Sequence, residues 1–305
     1  MNKTILFFIA SLATLCSLTA CKDVRTETYP NGQVLSEVEY VNDKKQGLEK
    51  EFFENGNVKK ETNYVEGRKE GPAKEYYEDG TLQAEMTYEN GYMNGLVTKY
   101  YKNGKMQSKA SYREGKQVDF GEYFEENGEP STSGSFKDPR DGMSYEWVKI
   151  GEQTWIAQNM VFATANGSLC LQCNNWGRLY NFESAKKACM DGFHIPSKEE
   201  FQQLLKFVGE KPGVKLKAGF GWDPLKGTNN YGNGKDEFGF GAKAGGAHLA
   251  QSDVPLKERK YEGAGQKALF WTTEGEVFVL YYDKDIAKFE KLNPEFGASI
   301  RCLKD

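Results

Sequence analysis

The chain has 305 residues, of which 38% are apolar, 28% charged and 13% aromatic. This length suffices for two ordinary domains, and the aromatic share is too high for a disordered polar chain. With 40 Lys and Arg against 44 Asp and Glu the net charge is −4, and there are only two histidines. The charge argues against nucleic-acid binding, and the histidine count excludes a mechanism that needs several imidazoles.

The N-terminus has the features of an export signal. An apolar stretch runs from Ile5 to about Leu15 and is too short for a comfortable membrane span. The following Leu-Thr-Ala-Cys, which ends at Cys21, resembles the lipobox of bacterial lipoproteins, in which the cysteine becomes the lipidated N-terminus. The resemblance implies a signal peptide over residues 1–20, a lipid on Cys21 and a tether over residues 21–25. The alternative is an ordinary signal peptide or an uncleaved anchor.

The residues after Cys21 indicate a destination. Bacterial lipoproteins retained at the inner membrane often have Asp directly after the cysteine, whereas this chain has Lys22. Lys followed by acidic residues is similar to a surface-export signal of Bacteroidota-type bacteria, and here the acidic part is Asp23 alone. We therefore expect an outer-membrane lipoprotein of the cell envelope, held to the membrane by its lipid, with exposure at the cell surface as a further expectation.

Residues 26–137 contain a repeat with a constant spacing of 24 residues. Turn dipeptides recur at this spacing: Asn31-Gly32, Asn55-Gly56, Asp79-Gly80, Asn103-Gly104 and Asn127-Gly128. Two aromatic columns keep the same spacing: Tyr40, Tyr64, Tyr88, Tyr112 and Phe136, and Phe52, Tyr76, Tyr100 and Phe124. Each unit is predicted to be a β-hairpin whose Asn-Gly supplies the positive φ angles of a tight two-residue turn. A single hairpin is marginal in water, so the units must stabilise one another by stacking.

An aromatic pair, such as Tyr76-Tyr77, ends the strand before each turn. Neighbouring side chains in a strand face opposite sides, so one column packs inward and a second, Phe53, Tyr77 and Tyr101, faces the other way. The columns are either core or, for one of them, a recognition stripe for a partner surface or sugar rings. The units resemble the variant MORN repeat family, whose members are scaffolds or interaction modules. Some bacterial relatives are labelled antitoxins, so an immunity-type role is an alternative.

A Ser-, Gly-, Pro- and Asp-rich junction around residues 131–142 ends the repeat. Beyond it the sequence predicts two short strands around Gly151 and a helix over Glu183–Met190. A second helix has Ser197 as N-cap, completes a capping box with Glu200 and ends at Gly209. Later strands are predicted at Ala268–Thr273, Val277–Asp283 and Ala298–Leu303.

Five phrases characterise this second region: VKIGEQTWIAQNM, WGRLYNFESAKKAC, GFHIPSKEEFQQLL, LFWTTE and ASIRCLKD. Together they resemble the Fibrobacter succinogenes major paralogous domain. The resemblance implies that residues 138–305 form a small C-type-lectin-like domain with two helices and a long loop. The whole chain is therefore expected to be mainly β, with an antiparallel hairpin array followed by a small α+β domain.

Four cysteines remain when Cys16 and Cys21 are set aside: Cys170, Cys173, Cys189 and Cys302. An even number in an exported chain indicates two disulfides. The lectin-like resemblance implies that Cys189 pairs with Cys302. For Cys170 and Cys173 a local disulfide, half of a zinc site completed by His194 and His248, and a redox-active pair all remain open. If the two histidines do not bind zinc, both are expected to have structural roles.

The sequence contains no catalytic triad, phosphate-binding loop or dinucleotide motif, so we expect neither an enzyme nor a cofactor or metal site. The calcium-binding phrases of sugar-binding lectins are absent as well. An alternative is an enzyme similar to the formylglycine-generating family. That chemistry needs a cysteine pair near the end of the domain, where this chain has only Cys302.

The long Gly219–Gly246 loop is the best candidate for ligand binding in the second region. Trp222 and Tyr231 are predicted to stack on a sugar ring. Polar contacts would come from the loop residues Asp223, Asn229, Asn230, Asn233 and Asp236. The alternative is an inert solvated loop. The expected partner is a protein or a glycan of the envelope, and no nucleic acid.

Overall fold

A computed structural model describes residues 22–170, 173–249 and 261–305. The predicted signal peptide and Cys21 lie outside the described residues. The chain divides between Ser131 and Thr132 into two compact units. Strands account for 45% of the described residues and helices for 9%, which confirms the predicted mainly β class.

The first unit is one antiparallel sheet in which most strands pair with the next strand along the chain. Its strands are β1 Lys22–Thr28, β2 Val34–Val41, β3 Lys44–Phe52, β4 Val58–Val65, β5 Arg68–Tyr76, β6 Leu82–Glu89, β7 Tyr92–Met93, β8 Gly95–Tyr100, β9 Met106–Arg113, β10 Lys116–Gln117 and β11 Glu122–Tyr123. Lys22 already pairs with Val41. The sheet therefore includes residues 22–25, which the sequence assigns to a tether.

The repeat contains two kinds of turn, one at the Asn-Gly or Asp-Gly dipeptides and a second between them. Their backbone geometry differs from the sequence prediction. At Asn55-Gly56 only the glycine has positive φ, and the Phe53 N–H donates to the Asn57 carbonyl at 2.8 Å. The Asn55 side chain accepts the Asn57 N–H at 2.9 Å, which favours a type I turn with a glycine bulge over the expected two-residue turn. Two-residue geometry occurs instead at the second turn, where Glu66 and Gly67 have φ of 48° and 81°.

One face of the sheet, here called the inner face, carries small and apolar side chains. Ala73 lies opposite Met86 and Val97 lies opposite Ala110, and all four are buried. The half-buried rings of Tyr88 and Tyr112 pack against this cluster. The aromatic column that contains Tyr88 and Tyr112 therefore belongs to the core and is not a recognition stripe.

The tyrosines of the column that contains Tyr77 and Tyr101 connect repeats through hydrogen bonds. The Tyr29 hydroxyl donates to the Phe52 carbonyl at 2.7 Å, and the Tyr77 hydroxyl donates to the Tyr100 carbonyl at 2.8 Å. The Tyr101 hydroxyl donates to the Phe124 carbonyl in the same way at 2.8 Å. Each bond joins one repeat to the next, so stability accumulates from neighbour to neighbour.

The second unit contains several small sheets and four short helices within the described residues. Its strands are β12 Ser133–Lys137, β13 Ser144–Ile150, β14 Gln153–Ile156, β15 Ser168–Leu169, β16 Leu179–Tyr180, β17 Phe193–His194, β18 Ala247–His248, β19 Tyr261–Glu262, β20 Lys267–Trp271, β21 Glu276–Tyr281, β22 Ala287–Lys291 and β23 Leu303–Lys304. Its helices are α1 Cys173–Trp176, α2 Phe182–Ala185, α3 Lys198–Val208 and α4 Pro212–Leu216. The main sheets have the orders β12-β13-β14-β23-β17 and β20-β21-β22.

Phe136 keeps the spacing of the repeat but does not belong to the repeat sheet. It lies in β12 opposite Tyr145 and stacks on Phe193 with ring centroids 5.8 Å apart. The second unit therefore starts before the boundary at 137/138 that the sequence suggests, because β12 pairs with β13 rather than with the repeats.

Helix α3 begins and ends where the sequence predicts. Ser197 and Glu200 form the capping box, and Gly209 follows with a φ of 72°. The predicted helix over Glu183–Met190 is instead confined to α2. The carbonyls of Ala188 and Cys189 accept hydrogen bonds from Arg140 rather than continuing a helix.

The core of the second unit lies where α3 packs on the β20-β21-β22 sheet. The ring of Phe201 stacks on Phe278 at 4.4 Å and lies 5.2 Å from Trp155. All three side chains are completely buried. Burial of such large rings contributes strongly to the stability of this unit.

Two disulfides cross-link this unit. Cys189 is bonded to Cys302, which ties the chain after α2 to the last strand, as the resemblance implies. Cys170 is bonded to Cys173, so of the three alternatives the local disulfide is the one present. Among the described residues there is no free cysteine.

Replacing Cys189 and Cys302 together by Ser should destabilise the second unit far more than replacing Cys170 and Cys173. The first bond spans 113 residues and the second spans 3. In the chain-entropy model these separations correspond to about 4–5 and about 1–2 kcal/mol. All five tryptophans lie in the second unit, so guanidinium unfolding followed by tryptophan fluorescence reports it alone. Equal losses in the two double variants would contradict this prediction.

Candidate functional site

The Gly219–Gly246 loop folds into the second unit rather than projecting from it. Trp222 is 2% exposed, and its indole Nε1 donates to the Ala242 carbonyl at 3.1 Å. Its ring lies 5.0 Å from the ammonium of Lys217, which is itself buried and donates to the carbonyls of Tyr281 and Tyr282. The prediction that Trp222 stacks on a sugar is therefore wrong, because this indole is part of the core.

Two of the predicted polar side chains make hydrogen bonds within the loop itself. Asn233 Oδ1 accepts the Trp222 N–H at 3.2 Å. Asp236 Oδ1 accepts the Gly241 N–H at 2.7 Å, and burial raises the pKa of this carboxyl. These two side-chain oxygens are thus occupied within the protein, in contrast to the ligand contacts that the sequence predicts. Asp223 is held through its main chain, where its N–H donates to the Gly265 carbonyl at 2.8 Å.

The other predicted contacts lie at the exposed tip of the loop. Asn229 and Asn230 are exposed, and Tyr231 is 62% exposed. The tip is closed by the Leu225 N–H, which donates to the Asn230 carbonyl at 2.7 Å. The structure therefore brings these three residues together at the surface, while Trp222 lies inside.

Two surface residues of the loop were missed by the sequence reasoning. Phe220 is 66% exposed, and the ammonium of Lys243 lies 5.5 Å from the centre of its ring. The available signal was the pair of glycines, Gly219 and Gly221, on either side of Phe220. The identity of Lys243 gave no signal, because the contact joins residues far apart in the loop.

Arg301 holds the base of the loop. It is completely buried, and its guanidinium donates to the carbonyls of Ile156, Phe240 and Gly241 and to Asn159 Oδ1, the last at 2.7 Å. Desolvation lowers the pKa of Arg301 to about 9, although the charge of Asp236 acts in the opposite direction. Arg301 therefore has a structural role, since each of these hydrogen-bond partners belongs to the protein itself.

The two histidines have structural partners. His194 Nδ1 lies 2.5 Å from Asp305 Oδ1, and His194 Nε2 lies 3.0 Å from Glu200 Oε1. His248 is buried, and its ring contacts Tyr261 with centroids 5.3 Å apart. Within the described ranges no three His, Cys, Asp or Glu side chains are grouped to hold a metal ion. No helix in the same ranges has the length and hydropathy needed to cross a bilayer.

Replacing His194 by Gln should lower the Tm of the second unit more at about pH 5.5 than at about pH 9. Burial lowers the pKa of His194, but the hydrogen bonds to Asp305 and Glu200 outweigh it, so the pKa is raised overall. The stabilisation is then fully present below the ordinary histidine pKa of about 6.5 and is lost as the pH rises through the raised value. Tryptophan fluorescence melts at both pH values measure the difference. A gap that does not change with pH would count against the ion pairs.

The face of the repeat sheet opposite the inner face, here called the outer face, carries a charged ladder. Its members are successive cross-strand partners: Glu37, Lys50, Glu61, Lys74, Glu85, Thr98, Lys109 and Glu122. Opposite charges face each other along most of this row, as for Lys74 and Glu85 at 3.3 Å. The ladder therefore largely compensates its own charge.

Two further rows run beside the charged ladder. The aromatic row is Phe52, Tyr76, Tyr100 and Phe124. The hydroxyls of Tyr76 and Tyr100 donate to Glu61 and Glu85 of the ladder at 2.8 and 3.1 Å, which places them on the outer face.

The aliphatic row is Val24, Leu48, Pro72 and Leu96. The last three each lie two residues before a member of the charged ladder on the same strand, and Val24 lies two residues before Thr26. Residues two apart on a strand share a face, so this row also lies on the outer face. Leu48 and Leu96 are 42% and 47% exposed. The outer face thus repeats an aromatic, a charged and an aliphatic position in successive units.

A β-repeat array joined to a small disulfide-linked unit defines a repeat and binding protein. Residues 24–42, 45–66, 69–90 and 93–114 match the MORN repeat variant. Residues 148–304, over half of the chain, match the Fibrobacter succinogenes major domain, and the chain belongs to that family. No curated protein matches the chain.

Proposed function

We propose that this chain is a lipid-anchored binding protein of the cell envelope, without enzymatic activity. The repeat array is its platform for a protein partner, and the second unit carries ligand recognition. The observation that supports this function best is the outer face, where three rows of different chemistry share one spacing. Leu48 and Leu96 are exposed at equivalent positions, so the core of the array does not explain their apolar side chains.

The spacing favours an extended protein partner. Successive members of a row are two strands apart, which corresponds to about 10 Å. An α-helix advances about 10.5 Å every seven residues. A partner helix that lies across the strands can therefore present the same kind of apolar side chain to each repeat. Because the charged ladder is largely compensated, the aromatic and aliphatic rows would contribute most of the binding energy.

The envelope location is supported by two independent features. The lipobox-like sequence ends at Cys21, and both cysteine pairs of the second unit are oxidised. Disulfides persist in exported proteins and are rare in reducing compartments. The bond between Cys302 and Cys189 argues against the formylglycine-generating alternative in particular, because the Cys302 sulfur is then not a reactive thiol.

Replacing Leu48 or Leu96 by Glu should abolish partner binding and leave the array folded. A photo-crosslinking residue at Pro72, between them in the aliphatic row, should give one discrete adduct in intact cells, with the partner identified by mass spectrometry. The adduct should disappear in the Leu48→Glu and Leu96→Glu variants, because a carboxylate would have to be desolvated in the interface.

The matched control is Val34→Glu, which adds the same charge at a residue that is 37% exposed and outside the aliphatic row. This variant should keep the adduct. Persistence of the adduct in both row variants, or its loss in the control as well, would reject the outer face as the platform.

Replacing Cys21 by Ala should abolish both the lipid modification and the cleavage before residue 21. In the unaltered chain, mass spectrometry of the mature protein should find a diacylglycerol-modified cysteine as the N-terminal residue. Lipid attachment needs the thiol of Cys21, so the variant should carry no lipid and no cleavage before residue 21. An unmodified Cys21 in the mature protein would rule out the anchor and leave the binding function of the array untouched.

A further inference from the structure

Phe220 is an exposed aromatic residue of the second unit, as are Tyr231 and Phe207. Large rings such as Trp155, Phe201 and Phe270 are completely buried, whereas Phe220 is 66% exposed. A flat apolar surface is therefore presented to solvent from a loop whose base is fixed by Arg301.

Lys243 lies beside this ring in a half-buried position. It is flanked along the chain by Ala242 and Ala244, both completely buried, and its ammonium is 5.5 Å from the Phe220 ring centre. This distance is within cation–π range. Burial and then the nearby charge of Arg301 lower the pKa of Lys243.

Other partly or fully buried lysines of this protein have compensating groups. Lys60 pairs with Glu75 at 2.7 Å, and Lys45 pairs with the buried Glu49. Lys217 donates to two backbone carbonyls. In the part of the chain that the structure describes, Lys243 has neither a carboxylate within 4.0 Å nor a hydrogen-bond acceptor. A half-buried cation without a counter-ion is stabilised when an anion binds to it.

We propose that Phe220 and Lys243 form a binding site for a carboxylated sugar, namely a hexuronic acid unit of a glycan. The apolar C–H face of the pyranose ring stacks on Phe220, and the sugar carboxylate pairs with the Lys243 ammonium. A sugar is favoured over an acidic peptide because the open flat ring of Phe220 offers area for a ring face and no polar group for a peptide backbone. This site lies in the second unit and is independent of the platform on the outer face.

The test uses the purified chain and two matched probes, an oligogalacturonate and the same oligomer with its carboxylates methyl-esterified. Isothermal titration should show binding of the acid and at least about tenfold weaker binding of the ester, since only the acid makes a charge-assisted pair. Phe220→Ala and Lys243→Met should each weaken binding of the acid by about tenfold or more. Lys243→Arg should retain most of the affinity.

Phe207→Ala and Lys226→Met serve as controls, because Phe207 is 55% exposed and Lys226 is an exposed lysine of the same loop. Neither should change binding, and tryptophan fluorescence melts verify that all variants are folded. Protection of Lys243 from an amine-reactive reagent by the acid, and not by the ester, is a second readout that needs no substitution.

Three results would overturn the proposal: equal affinity for acid and ester, unchanged affinity of Lys243→Met, or no binding of either oligomer. Preferential binding of an oligoglutamate peptide would also overturn it and assign the site to acidic polypeptides. The Leu96→Glu variant should bind oligogalacturonate normally. Failure of the sugar site is therefore distinguishable from failure of the array platform.

Discussion

The second unit depends on one buried charge. In the described ranges no carboxylate lies within hydrogen-bonding distance of Arg301, so its guanidinium is stabilised by Asn159 and by backbone carbonyls, including that of Phe240. Removing a charge from water costs several kcal/mol unless such partners are held in place. The final segment, β14 and the end of the loop are therefore fixed with respect to one another.

The repeat array is stabilised in a different way. No single group organises it; tyrosine hydroxyls join repeats at three places, as Tyr77 does by donating to the Tyr100 carbonyl. Small side chains such as Ala73 and Ala84 let the sheet bury its inner face under half-buried tyrosines without a second layer. Glu49 occupies the position of Ala73 and Val97 in the repeat over residues 45–66, and it pairs with Lys45.

Much of this fold could be predicted from local sequence signals. The constant spacing identified the hairpins, and Ser197 with Glu200 identified α3, because both signals act over a few residues. The turn type at Asn55 was mispredicted, since it depends on a side-chain hydrogen bond to Asn57. Trp222 was misplaced for a different reason. Its burial is decided by a partner at Ala242, and no spacing rule reports contacts that depend on the whole domain.

The two proposed surfaces differ in how their charges are balanced, and this difference determines what each can select. On the outer face Lys74 and Glu85 already pair, so a partner gains little by bringing charge and is selected by the spacing of its apolar side chains. Beside Phe220, in contrast, no carboxylate among the described residues balances the charge of Lys243, and a ligand is selected by supplying the missing anion. Raised salt should therefore weaken binding at the second surface far more than at the first.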